Sequence, residues 1–172
     1  MKSGVIKGAI LGGVVVFIWM LVAWMVLPWS GASMRKFKCE SEVTEMMMRN
    51  CPRDGVYMFP FKDDGVNQSP YVLATVKLNG NPLNPWAFIS SLVTQIVGVG
   101  MIGYLLSKTR RMTYPGRVAF VTLAGIAVWV LGIVPEWTWC ALPAAFVLNL
   151  LVNYGIGYFL AGLVVAKCVR AE

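Results

Sequence analysis

Gly8 to Leu27 reads GAILGGVVVFIWMLVAWMVL, an unbroken apolar run with no charge inside it. A helix of about 20 such residues matches the hydrocarbon thickness of a bilayer and satisfies its own backbone hydrogen bonds there. The start, Met1-Lys2-Ser3 with Lys7, resembles the basic region of a signal peptide. A signal core is shorter, about 7–15 residues, and is followed by small residues at a cleavage site. Here Leu27-Pro28-Trp29 closes the run, so the segment reads as a retained signal anchor.

Three further stretches repeat the pattern. One runs from Trp86 to Leu106, opened by Asn84-Pro85 and followed by Lys108, Arg110 and Arg111. The next runs from Val118 to Val134, and Pro135-Glu136-Trp137 is expected to end it. The last runs from Ala141 to Ala166 and stops at Lys167. Trp29, Trp86, Tyr114, Trp137 and Trp139 mark most of the ends, as rings anchored at a membrane interface do. The expected fold is therefore mainly α and integral to a membrane. It is a four-transmembrane-helix bundle with a small α+β extracytoplasmic module between helices 1 and 2. Residues 1–28 supply the first helix, 29–85 the module, and 86–172 the other three. Composition agrees: of 172 residues 58% are hydrophobic and only 13% charged, a balance that soluble domains rarely show.

Charge sets the expected orientation. Lys2 and Lys7 precede the first span, Lys108, Arg110, Arg111 and Arg117 fill the link between the second and third, and Lys167 and Arg170 follow the fourth. The link between the third and fourth carries only Glu136. Positive flanks stay cytoplasmic, so both termini are expected inside, with residues 29–85 and the Pro135–Cys140 turn outside. The net charge of +7 is thus juxtamembrane, suited to anionic lipid headgroups rather than nucleic acid.

Within the module, Glu40 to Asn50 (ESEVTEMMMRN) has early acids, a late arginine and good helix formers. Gly55 to Phe61 reads as a strand broken by Pro60, and Tyr71 to Leu78 as a second strand. A polar turn, Lys62 to Pro70, joins them. A lone hairpin is marginal in water, so the module is expected to lean on the bundle or a partner. Cys39 and Cys51 flank the helix, and a disulfide between them suits an oxidising compartment; it would be worth about 3 kcal/mol in the chain-entropy account. An unbroken helix would hold them about 18 Å apart, so the bridge requires the chain to turn back. Otherwise both are unpaired buried thiols. Cys140 and Cys168 fall at opposite membrane surfaces and should not pair.

Two stripes carry what specificity the spans have. Gly4, Gly8 and Gly12 recur every four residues, a spacing that lets helices approach closely. Ala145, Asn149, Asn153, Gly157 and Ala161 form a second narrow stripe of small and polar groups. An amide in lipid is unsatisfied, so this face should meet protein or a cavity, with Gln95 and Ser91 of the second span as the expected partner face. Hydrogen bonding between helices is the plainer reading. A polar ligand site formed by Gln95, Asn149 and Asn153 is the sharper one.

The chemistry excluded is equally informative. Histidine does not occur, which removes the usual haem and copper ligand and the commonest general base. No Asp, Glu, Lys or Arg lies deep in a span, against proton-coupled transport and voltage sensing. Quinone-linked disulfide oxidases also have four helices, but they use closely paired cysteines, and no Cys-x-x-Cys exists here. Claudin-like junction proteins share the layout, yet their Trp…Gly-Leu-Trp pattern is not matched, since Ser30-Gly31-Ala32 follows Trp29. Asp54, Asp63 and Asp64 read as solvated loop carboxylates. No catalytic residue, metal or cofactor is expected.

Trp24-Met-Val-Leu-Pro-Trp29, Gly55-Val-Tyr-Met-Phe-Pro60 and Gly157-Tyr-Phe-Leu-Ala-Gly-Leu-Val-Val-Ala-Lys167 together resemble an uncharacterised group of small four-helix bacterial inner-membrane proteins. That resemblance implies a bacterial cytoplasmic membrane and supplies no activity. The expected role is a non-catalytic accessory subunit whose partners are membrane lipids and other integral membrane proteins, in a homo- or hetero-oligomer. The alternative is a small-molecule or lipid-binding membrane protein.

Overall fold

The computed structural model describes residues 2–60, 70–79 and 84–169. Asp63, Asp64, most of the Lys62–Pro70 turn and Arg170 lie outside the described residues. The chain divides into two compact units, Met1–Met34 with Leu83–Glu172, and Arg35–Pro82.

The first unit contains four helices long and apolar enough to cross a membrane: α1 (Lys2–Met25), α4 (Pro85–Ser107), α5 (Tyr114–Trp139) and α6 (Ala144–Cys168). A short helix, α2 (Pro28–Ala32), belongs to the same unit rather than to the module. Local chemistry sets the helix starts. Asn84 Oδ1 accepts from Ala87 N–H at 2.9 Å ahead of Pro85, and Thr113 Oγ1 accepts from Gly116 N–H at 3.3 Å ahead of Pro115. Both arrangements satisfy a first-turn donor and place proline where its missing N–H is harmless.

α1 packs between α4 and α6, and α5 packs on the far side of α6, giving the lateral order α4–α1–α6–α5. Glycines set these approaches. A Cβ on Gly13 would stand 2.6 Å from Ile96 Cα of α4, and one on Gly4 would stand 2.6 Å from the Cys168 carbonyl oxygen of α6. On Gly125 of α5 it would stand 2.2 Å from Tyr158 Cγ. The Gly4–Gly8–Gly12 stripe is therefore a packing face against the end of α6, with Gly12 also meeting Val99 of α4. Val16, Val99, Leu106, Val121, Ala161 and Val165 form the centre of the core.

Large apolar side chains cover the outside of the bundle, including Leu131 at 78% exposure and Trp86 at 72%. That is the inverse of a water-soluble bundle and is compatible with a multi-pass membrane protein. Two helix ends differ from the sequence expectation. α5 does not stop at Pro135 but continues to Trp139, with Thr138 Oγ1 donating to the Pro135 carbonyl at 2.9 Å and Cys140 N–H closing on Glu136 O. Proline removes only its own bond to the carbonyl four residues earlier, and so near a helix end the turn that follows it can still close. α6 begins at Ala144 rather than Ala141, because Ala141 takes a left-handed conformation (φ 53°) in the turn before Pro143.

The second unit holds α3 (Glu40–Asn50) and a hairpin of β1 (Gly55–Phe59) and β2 (Val72–Val76). The strands pair antiparallel, with Gly55 opposite Val76 and Phe59 opposite Val72. Glu45 pairs with Arg49 one turn on along α3. The expected disulfide is not formed: Cys39 and Cys51 are both free. They are the N-cap and C-cap of the unbroken α3, whose length of about 16 Å far exceeds the Cα separation of about 4.4–6.8 Å that a bridge needs.

Candidate functional site

The densest polar arrangement in the bundle is built on α6. Asn149 and Asn153 lie one turn apart, so their side chains share a face. Asn153 is wholly buried and Asn149 nearly so. Asn153 Nδ2 donates to Asn149 Oδ1 at 3.2 Å. The short helix α2 supplies the remaining partners. Trp29 Nε1 donates to Asn153 Oδ1 at 3.3 Å, Ser30 Oγ donates to Asn149 Oδ1 at 3.4 Å, and Asn149 Nδ2 donates to Ser33 Oγ at 3.2 Å. Ser33 Oγ in turn donates to the Ser30 carbonyl at 2.7 Å.

α1 completes the cluster. Trp19 Nε1 donates to the backbone carbonyl of Asn153 at 3.0 Å. That carbonyl is reachable because Gly157, one turn on, carries no side chain: a Cβ there would meet Trp19 Cδ1 at 2.9 Å. Trp19 and Trp29 sit with ring centroids 6.5 Å apart, tilted by 45°. Every polar side chain of the cluster is thus bonded to another member. Low local dielectric strengthens such bonds and penalises any group left out of them.

The structure brings together two of the three expected site residues. Gln95, expected opposite Asn149 and Asn153, takes part in none of these bonds. α4 packs on α1, through Gly13 against Ile96, and so does not present Gln95 to α6. Gln95 is half-buried near the middle of α4, and no described residue is its hydrogen-bond partner. Ser91, one turn before it, is exposed and likewise without a bond, whereas the neighbouring Ser90 and Thr94 hydroxyls donate to their own helix backbone. Sequence reading missed Trp19, Trp29, Ser30 and Ser33. The Trp-Ser-Gly-Ala segment after Pro28 could have pointed to Trp29 and Ser30, and nothing in the sequence marked Trp19.

Beside the cluster opens a groove of about 390 Å³ lined by Trp29, Ala32, Ser33, Leu148, Asn149 and Val152, among others. Its walls are mostly apolar, with Ser33 and Asn149 as the polar points. Ala145, the first residue of the stripe, is exposed and lines this groove, while Asn149 to Ala161 of the stripe are buried. Among the described residues no three His, Cys, Asp or Glu side chains converge as a metal site would require.

At the turn after α5, Cys140 Sγ donates to Glu136 Oε2 at 2.9 Å. That hydrogen bond, with some desolvation and the carboxylate's charge, raises the thiol's pKa above its ordinary value. A thiol held protonated is a poor nucleophile, so this pair is not an activated site.

Four long apolar helices and an internally satisfied polar cluster define a small helix-bundle protein compatible with a membrane setting. No protein family, curated protein or solved structure matches the chain.

Proposed function

We propose that this protein is a non-catalytic integral subunit of a bacterial inner membrane that packs against a larger membrane assembly. Gln95 is the observation that carries the reading. Its amide lies near the middle of an apolar helix with no partner among the described residues, and Ser91 one turn before it is exposed. Hydrocarbon offers no partner to an amide, and polar groups in membranes are retained where a neighbouring helix bonds them. The Asn149–Asn153 cluster is already satisfied internally, so it leaves no comparable demand. The stretch of α4 at exposed Ser91 and half-buried Gln95, on the side that continues into buried Val99 and Ile102, is then where another integral protein, or a second copy, docks.

A photo-crosslinking amino acid at Ser91 in native membranes tests this. The expected result is a discrete protein adduct, with none from position 131 on the exposed side of α5. Gln95→Leu should reduce the adduct several-fold while leaving the chain inserted. Adducts to lipid alone at position 91 would overturn the reading.

The groove beside Asn149 favours a second reading, a small-molecule or lipid-binding protein. Its site would lie between α2 and α6, not between α4 and α6 as the sequence suggested. Bound lipid or metabolite recovered from purified protein and lost on Leu148→Trp, which fills the groove, would favour it.

A further inference from the structure

The Arg35–Pro82 unit contains a second arrangement, built from sulfur. Met46 and Asn50 are one turn apart on α3, and Met47 and Cys51, its C-cap, are likewise. All four line a cavity of about 500 Å³ whose opposite wall includes Tyr57 and Phe59 of the hairpin. Cys51 is 5% exposed, and its Sγ lies 3.9 Å from Met47 Sδ. The Cys51 N–H closes on the Met47 carbonyl at 2.9 Å as the helix cap, which holds the two residues one turn apart, and the thiol donates to the thioether across that turn.

That sulfur separation has a geometric meaning. Two sulfurs each about 2.3 Å from one ion, at an angle between tetrahedral and trigonal, lie about 3.8–4.0 Å apart. We propose that Cys51 and Met47 hold a soft monovalent cation of the Cu(I) type, with Met46 as the third ligand. Thiolate and thioether donors select Cu(I) over harder ions. Among the described residues no carboxylate lines the cavity, so hard divalent cations find no charge-matched donor among them. Met46 lines the same cavity and carries three rotatable side-chain bonds, which makes its thioether the third donor of the proposal. Binding replaces the Cys51 S–H bond with a metal–sulfur bond and releases one proton to solvent. No electron is transferred, so no redox partner is needed. Methionine that merely fills the space under the hairpin would show none of this chemistry.

The experiment uses the full chain in detergent with Cys39, Cys140 and Cys168 each replaced by serine, and Ag(I) as a redox-inert probe. Titration in excess free methionine should give one Ag(I) per chain. Met47→Leu, close to isosteric with methionine, should weaken binding by about tenfold or more at unchanged helix content. Cys51→Ser should abolish it. With methyl-labelled methionine, one equivalent of Ag(I) should shift the Met46 and Met47 signals and leave Met101 in α4 unmoved. No stoichiometric binding overturns the proposal. So does full affinity in Met47→Leu, or an unmoved Met47 signal in the chain that retains Met47, since a thiol alone would then account for the uptake.

Discussion

Asn153 has no exposed surface, yet its side chain holds two hydrogen bonds and its carbonyl a third, from Trp29, to Asn149 and from Trp19. Asn153→Ala removes the two side-chain bonds and leaves the Trp19 bond in place, a loss expected below about 2 kcal/mol for interhelical bonds in a bilayer. Asn153→Leu removes the same bonds and forces volume against Trp29, adding about 1–3 kcal/mol of overpacking. Thermal unfolding in detergent should therefore rank wild type above alanine and alanine clearly above leucine; equal midpoints for the two variants would mean that the surroundings of Asn153 are not tightly packed. Spacing alone marked Asn149 and Asn153 as a buried face, because residues four apart share one side of a helix. Their partners were illegible, because α2 is five residues long and too short to show a periodicity. Cys140 gives a pH test. Its hydrogen bond to the Glu136 carboxylate favours the protonated thiol, so its pKa is raised. With the other cysteines replaced by serine, the rate of Cys140 alkylation should rise at higher pH than for an unperturbed thiol. Glu136→Gln should move that rise downward. An unchanged profile would show that the carboxylate does not act on the thiol.

Among the elements, close approach depends on where glycine stands, and the bundle supplies its own control. Ala at Gly13 would drive a Cβ into the backbone of Ile96 at 2.6 Å, whereas Gly132 on α5 has nothing within 4 Å. Backbone cannot rotate away as a flexible side chain can, so α1 and α4 must separate. Gly13→Ala should destabilise by about 1–3 kcal/mol, and Gly132→Ala should stabilise slightly through better helix propensity, by up to about 1 kcal/mol. Unfolding midpoints in detergent check both signs. Equal shifts would mean that the α1–α4 contact is looser than its geometry implies. Every long helix was legible from hydropathy, and α3 matched its expected residues from Glu40 to Asn50 because its acids, arginine and helix formers agree. Helix partners were not legible. Gln95 and the Asn149–Asn153 stripe both needed a neighbour, and pairing them was natural on polarity. Gly12 and Gly13 of α1 instead draw α4 onto α1, through Val99 and Ile96. The disulfide failed for a related reason: the capping positions that make α3 continuous also hold its two cysteines at opposite ends.

Within the bundle, charge is sorted by end. Lys108 caps α4, Arg117 donates to the Val169 carbonyl at 3.3 Å, and Lys167 occupies the last turn of α6. Lys7 lies between Gly4 and Gly8, whose faces meet Cys168 and Val169 at that same end. The start of α1, the α4–α5 link and the end of α6 thus place their cations at one end of the bundle, while Glu136, in the last turn of α5, lies at the opposite end of that helix. Lysines and arginines flanking short loops are retained on the cytoplasmic side, and anionic headgroups there add about 1 kcal/mol per cation near the surface. Because every basic flank agrees, no single charge decides the orientation. Reporter fusions at Glu172 and near Ser69 should therefore show opposite sidedness, with Glu172 cytoplasmic. Replacing Lys108, Arg110 and Arg111 together by glutamine should leave that result unchanged, since the α1 and α6 flanks still vote the same way. The same sidedness at both fusion sites would require an odd helix to leave the membrane, and the four-span reading would fall.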